Sequence, residues 1–161
     1  MLDHADIVRG FVQAAELACI PIPASDIEVQ FFSAPHKPPA FLPKGKFAVY
    51  VFMFNDRCLK AGKVGSKSAA RLCSRHYGAH RAPSTLAKSI IKAQLGGDQT
   101  ILDTNNVSEW MCSNTSRINF LLSSSYGPNV LSLLEAFVQC RLKPEFEGFL
   151  SQPVLTKTRQ N

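Results

Sequence analysis

The spacing of apolar residues at the start of the chain predicts one helix followed by a connector. Val8, Phe11 and Ala15 recur at helical spacing before Pro21 and Pro23 interrupt the pattern. Four more prolines follow between positions 33 and 43. Because proline fixes φ and removes a backbone donor, this second stretch is expected to be extended or irregular chain.

The next apolar segment predicts a β-hairpin. Residues 47–54 form a run of β-branched and aromatic side chains, which is typical of a strand. Asn55 and Asp56 then supply turn chemistry, and residues 58–64 can return as the second strand. Gly65 and the serine after it end this strand.

The remaining pattern predicts four helices and a third strand. Helices are expected at residues 67–76, 84–95, 106–113 and 130–142, and a strand at residues 117–122. Ser84 can cap the second of these helices, and Leu131, Leu134 and Val138 give the last one an apolar face. The fold class is therefore α/β, with a small three-stranded antiparallel sheet flanked by helices.

We divide the chain into a helix and proline-rich connector at 1–45, a compact domain at 46–148 and a tail at 149–161. Its 161 residues are 45% hydrophobic and 19% charged, as expected of one soluble globular domain. No apolar run reaches the roughly 20 residues that span a bilayer. The acidic amino terminus does not resemble a secretory signal, and five scattered cysteines suit a reducing compartment, so we expect a cytoplasmic protein.

The basic residues are concentrated in one block. Residues 45–96 hold ten basic and one acidic side chain, whereas the segments before and after carry a small excess of acid. The electrostatic field of such a block attracts polyanions. Alternatively, these basic residues form a solvent-exposed face with no binding role. The candidate nucleic-acid contacts in this block are Lys67, Arg75, Tyr77, Arg81, Lys88 and Lys92. Contacts of this kind position the protein on a duplex without recognising the base sequence.

Four side chains have the chemistry that phosphodiester hydrolysis requires. The reaction needs a base, a cation at the phosphate, support for the leaving oxygen and a carboxylate for any metal. Tyr50 lies in the first hairpin strand and Lys63 near the end of the second, while Arg71 falls in the following helix and Glu135 in the last. Each also has a structural alternative, as a strand tyrosine, a surface charge or a solvent-facing helix residue.

The motifs around these positions resemble the GIY-YIG nuclease superfamily. Ala-Val-Tyr at 48–50, Lys-Val-Gly at 63–65, an arginine at 71 and a Glu…Lys-Pro segment beginning at Glu135 match the family pattern, and the resemblance covers residues 47–148. Three positions depart from that pattern. Ala48 replaces a glycine, Lys63 replaces the tyrosine of the second motif, and Glu147 replaces the final asparagine.

The resemblance implies a one-metal hydrolysis. Tyr50 would act as general base, and Lys63 would favour its phenolate or hold the attacking water. Arg71 would grip the phosphate oxygens, and His76 would support the leaving oxygen. Glu135 would hold Mg²⁺ or Mn²⁺, with water at the other coordination positions.

The function implied is a metal-dependent endonuclease acting on DNA, in preference to RNA, in defence, restriction or mobile-element transfer. Two alternatives remain open at this point. One is a structure-selective repair nuclease, and the other is a catalytically silent nucleic-acid-binding module that keeps the basic face. Cutting both strands with one active centre per chain would favour a homodimer.

Overall fold

The computed structural model describes residues 3–65, 72–73, 77, 84–97 and 100–146, which form an antiparallel sheet with helices on both faces. The strand order is β1-β4-β2-β3. In chain order the elements are α1 (His4–Leu17), β1 (Glu28–Phe32), β2 (Lys46–Phe54), β3 (Arg57–Val64), α2 (Thr85–Ala93), α3 (Val107–Asn114), β4 (Ser116–Ser123) and α4 (Gly127–Leu142). Short 3₁₀ turns at Ala24–Asp26 and Ser124–Tyr126 complete the described structure.

The α/β class is confirmed, but the prediction of three strands is wrong because the sheet has four. The additional strand, β1, lies in the predicted connector, between the first helix and the proline-rich stretch at 33–43. It pairs along its length with β4, from Glu28 opposite Leu121 to Phe32 opposite Arg117. A five-residue strand gains its stability from such a distant partner, so its own sequence carries little signal.

Two of the helices, α1 and α2, begin at side-chain caps. The Asp3 carboxylate accepts hydrogen bonds from the backbone N–H groups of Ala5 and Asp6 at the start of α1. Ser84 Oγ likewise accepts from Ala87 N at 3.0 Å, which confirms the predicted cap of α2. This helix ends at Ala93, because Gln94 adopts the left-handed conformation with φ of 46°. The predicted helix at 67–76 lies outside the described residues except for 72–73.

Two hydrophobic layers lie on opposite faces of the sheet. On one face, α1 and α4 cover alternate residues of β2 that include Val49 and Val51. On the other face, α2 and α3 cover the intervening residues, including Tyr50 and Phe52. Within the described ranges, no helix is long and apolar enough to cross a membrane.

The outer edge of β3 is covered by α4 and the turn that follows it. Gln139 Nε2 donates to the carbonyl of Ala61 at 3.3 Å. The backbone N–H of Phe146 donates to the carbonyl of Leu59 at 3.0 Å. These contacts satisfy backbone groups that an edge strand otherwise exposes, so α4 shields the sheet from pairing with another chain.

A bulge sets the register between β2 and β3. Met53 lies opposite Cys58, whereas Phe52 lies opposite Lys60, so Leu59 is the extra residue. Beyond the bulge, Tyr50 lies opposite Gly62. A Cβ atom at position 62 would lie 2.7 Å from Tyr50 Cζ and closer still to the hydroxyl oxygen. Glycine at this position therefore lets the tyrosine ring lie across β3.

We predict that Gly62→Ala destabilises the fold by about 1–3 kcal/mol, because the added methyl group overlaps the buried Tyr50 ring. Urea unfolding measures the change. Gly65→Ala is the matched control, since no atom of the described residues lies within 4 Å of a Cβ there, and its cost should stay within about 0.5 kcal/mol. In a Tyr50→Leu background the Gly62→Ala cost should shrink. An equal cost in both backgrounds would show that the ring contact is not the cause.

Candidate functional site

Lys63 and Glu135 form an ion pair at the edge of the sheet, which we call the edge pair. Lys63 Nζ lies 2.8 Å from Glu135 Oε2 and donates to Ser132 Oγ at 3.0 Å. The backbone N–H of Lys63 also donates to Glu135 Oε1 at 3.0 Å. The side chains of Lys63 and Glu135 are 41% and 20% exposed, so solvent reaches the pair. The fold thus brings together two of the predicted catalytic residues, which lie 72 positions apart in sequence.

The residues at the edge pair do not fit a divalent cation as they stand. Both oxygens of Glu135 already accept hydrogen bonds, and an ammonium neutralises the carboxylate. Mg²⁺ is usually held by one or two carboxylates with waters and substrate phosphates. Among the described residues, no group of three or more histidine, cysteine, aspartate or glutamate side chains could hold a metal. A cation at Glu135 would first have to displace the Lys63 ammonium.

Tyr50 lies on the face of the sheet opposite the edge pair. Its side chain is 4% exposed and packs with Phe52 in the layer under α2 and α3. Lys63 lies opposite Val49, whose side chain belongs to the layer under α1 and α4. The expected meeting of the phenol with the ammonium and carboxylate is therefore wrong. The bulge is the reason. Without the extra residue, the pairing of β2 with β3 would put Lys63 opposite Ala48, on the same face of the sheet as Tyr50.

Five of the candidate residues lie outside the described part of the chain. They are Arg71 and His76 from the catalytic set, and Lys67, Arg75 and Arg81 from the nucleic-acid contacts. Their roles stay predictions from the sequence.

A second polar group, which we call the arginine cluster, is buried under α2 and α3. It consists of Arg117, Asn119, Tyr50, Tyr77 and His36. Arg117 and Asn119 are both fully buried, and Arg117 Nε donates to Asn119 Oδ1 at 2.9 Å. Arg117 Nη1 donates to the Tyr77 hydroxyl at 3.3 Å, and His36 Nε2 lies 2.7 Å from the same oxygen. The cluster places a cation inside an otherwise apolar layer.

Burial changes the proton affinities in the arginine cluster. It raises the pKa of Tyr77, although the nearby Arg117 charge acts in the opposite direction. It also lowers the pKa of Arg117 and raises that of the adjacent Cys112 thiol. For His36, burial lowers the pKa most, while the Thr115 backbone raises it and the Arg117 charge lowers it. The phenol and thiol thus remain neutral near pH 7, and the guanidinium remains charged.

The arginine cluster changes the interpretation of Tyr77 and includes residues that the site prediction missed. Tyr77 is 3% exposed, and its hydroxyl is bonded within the cluster, so its ring presents no surface to a nucleic acid. Arg117 and Asn119 alternate in an apolar strand, and this spacing could have indicated two polar side chains on one buried face. His36, in the proline-rich connector, has no comparable signal.

Lys60, Lys88 and Lys92 form a row of cations along α2, which we call the lysine row. Lys60 Nζ donates to Thr85 Oγ1 at 3.0 Å, which ties β3 to the first turn of the helix. Lys88 and Lys92 follow Thr85 at helical spacing and are exposed. The helix has no acidic residue. This row contains the two predicted nucleic-acid contacts that lie in a described helix.

Comparison of the chain with models of protein families, with curated protein sequences and with solved structures gave no match.

We predict that the free energy of unfolding decreases as the pH falls from 7.5 to 5.5. The folded state lowers the pKa of His36 below its unfolded value near 6.5, so the unfolded chain binds the additional proton in this range. Urea unfolding at several pH values measures the slope. His36→Gln should flatten this slope. An unchanged slope in His36→Gln would contradict the assignment.

Proposed function

We propose that the protein binds the phosphate backbone of a nucleic acid, with the lysine row as part of the contact surface. The lysine row is the observation that carries the proposal. From Thr85 to Lys92 the helix rises about 10 Å, which is roughly the axial length of three nucleotides of one strand in a duplex. Residues 57–97 contain no aspartate or glutamate, so no acid from this segment opposes the row.

This proposal predicts a weaker salt dependence when the lysine row is shortened. The double variant Lys88→Ala with Lys92→Ala should bind a short DNA duplex more weakly, because two phosphate contacts are lost. The slope of log K against log salt should become shallower by about 1.8. Fluorescence anisotropy over a salt series measures both effects.

The matched control removes the same charge elsewhere. Lys37→Ala with Lys44→Ala changes two exposed lysines in the connector and should leave the slope close to that of the unmodified protein. If the slope of log K against log salt becomes shallower by the same amount in both double variants, net charge rather than the lysine row determines binding.

Phosphodiester hydrolysis is the second candidate function, and the edge pair is the observation that favours it. Two motif positions far apart in the sequence are in contact there, at a partly exposed position. A substrate phosphate could take the Lys63 ammonium from Glu135. The freed carboxylate oxygen would then accept a proton from the water that attacks phosphorus, and the P–O bond to the leaving oxygen would break as that oxygen takes a proton from solvent. Tyr50 has no part in this scheme, because it lies on the other face.

A nicking assay tests hydrolysis at the edge pair. If the pair is catalytic, Glu135→Gln should reduce the cutting rate about 100-fold, because the amide keeps an acceptor for the Lys63 N–H but cannot take a proton. Gln139→Ala and Tyr50→Phe should cut within about twofold of the unmodified protein. Supercoiled plasmid is the substrate, with Mg²⁺ and with EDTA.

Two outcomes separate the candidate functions. If Glu135→Gln cuts as fast as the unmodified protein, the edge pair is not the site of hydrolysis. If the unmodified protein binds DNA but cuts neither plasmid nor branched and single-stranded substrates, the binding function stands alone.

A further inference from the structure

Arg117 has a donor group that nothing in the described structure satisfies. Its Nε group donates a hydrogen bond to Asn119, and its Nη1 group donates one to Tyr77. Its Nη2 atom is buried and has no hydrogen-bond partner among the described residues. A buried donor without an acceptor costs free energy, and more so when it carries charge.

The positive charge of Arg117 also lacks a counter-ion in the described part of the chain, where no carboxylate forms an ion pair with it. The neighbouring Tyr77 phenol and Cys112 thiol remain neutral, since burial raises their pKa values. Three aromatic rings offer partial compensation, because Arg117 Cζ lies 5.0 Å from the Phe52 centroid, 5.7 Å from that of Tyr50 and 5.8 Å from that of Tyr77.

The sequence rules out a counter-ion from the segment that follows β3. Residues 57–97 contain no aspartate or glutamate, and the α2 helix that covers this face of the sheet belongs to that segment. A buried guanidinium is normally paired with an anion, because its desolvation costs several kcal/mol. A compensating anion from outside the chain would remove this cost.

We propose that Arg117 anchors an internal site for a phosphate-type oxyanion, with Nη2 as the donor. Nη2 carries two N–H groups, and the oxygens of such an anion accept charge-assisted hydrogen bonds from a guanidinium. His36 connects the cluster to the surface, since it is partly exposed and is bonded to Tyr77. The anion could be free phosphate or a phosphate group of nucleic acid, and occupancy by free phosphate would not depend on the proposed function.

Thermal unfolding in inorganic phosphate tests this site. At constant ionic strength, phosphate at roughly ten times its Kd should raise the Tm of the unmodified protein by about 3 °C and should saturate. Arg117→Met should lose the response, because the apolar side chain cannot hold an anion. The variant Lys88→Ala with Lys92→Ala should keep the response, which separates this site from the lysine row.

A second measurement does not depend on the folding of a variant. In ¹⁵N NMR of the unmodified protein, the Arg117 Nε–H signal should shift on titration with phosphate. A shift with a short oligonucleotide but not with free phosphate would assign the site to nucleic-acid phosphate. The proposal is overturned if neither ligand moves this signal, or if Arg117→Met is stabilised by phosphate as much as the unmodified protein.

Discussion

The alternation of side chains along a strand buried on both faces is the constraint on which the rest of the structure depends. Seven consecutive residues of β2 are buried, so there is no solvent face to which a misplaced side chain could turn. Each residue must meet either the α1 and α4 layer or the α2 and α3 layer. A shift of one position in the pairing moves a neighbouring side chain from one layer to the other. The register therefore decides which chemical groups can meet.

The sequence predicts elements well where one periodicity dominates. The hairpin and the helices α1, α2, α3 and α4 are confirmed, because their apolar spacing, turns and caps are local. The strand β1 is not predicted, since its partner lies about 90 positions away and prolines surround it. The bulge at Leu59 is not predicted either, because it depends on how the two strands pack after pairing.

The candidate site, like the fold, has features that the sequence predicts and features that only the structure shows. The chemistry of the side chains and the resemblance of the motifs to a nuclease family singled out Lys63 and Glu135, and the fold places them in contact. The sequence could not indicate that Glu135 also accepts the backbone N–H of Lys63 at the edge of the sheet. This second bond gives the carboxylate a structural role that is independent of any reaction. Motif spacing predicts which residues are candidates for the site. The sheet edge and the bulge determine which groups each of these side chains contacts.

The distribution of charge connects the surface of the protein to its interior. The segment without acidic residues supplies the exposed Lys88 and Lys92, and its helix covers the face on which Arg117 is buried. On the surface, water and salt compensate the lysines at little cost. Inside, the partners of the guanidinium among the described residues are aromatic faces, one amide and one phenol. The same deficit of carboxylates that leaves the lysines unopposed outside therefore leaves the guanidinium without a counter-ion from this segment within, and replacing Arg117 is the most direct way to separate the two effects.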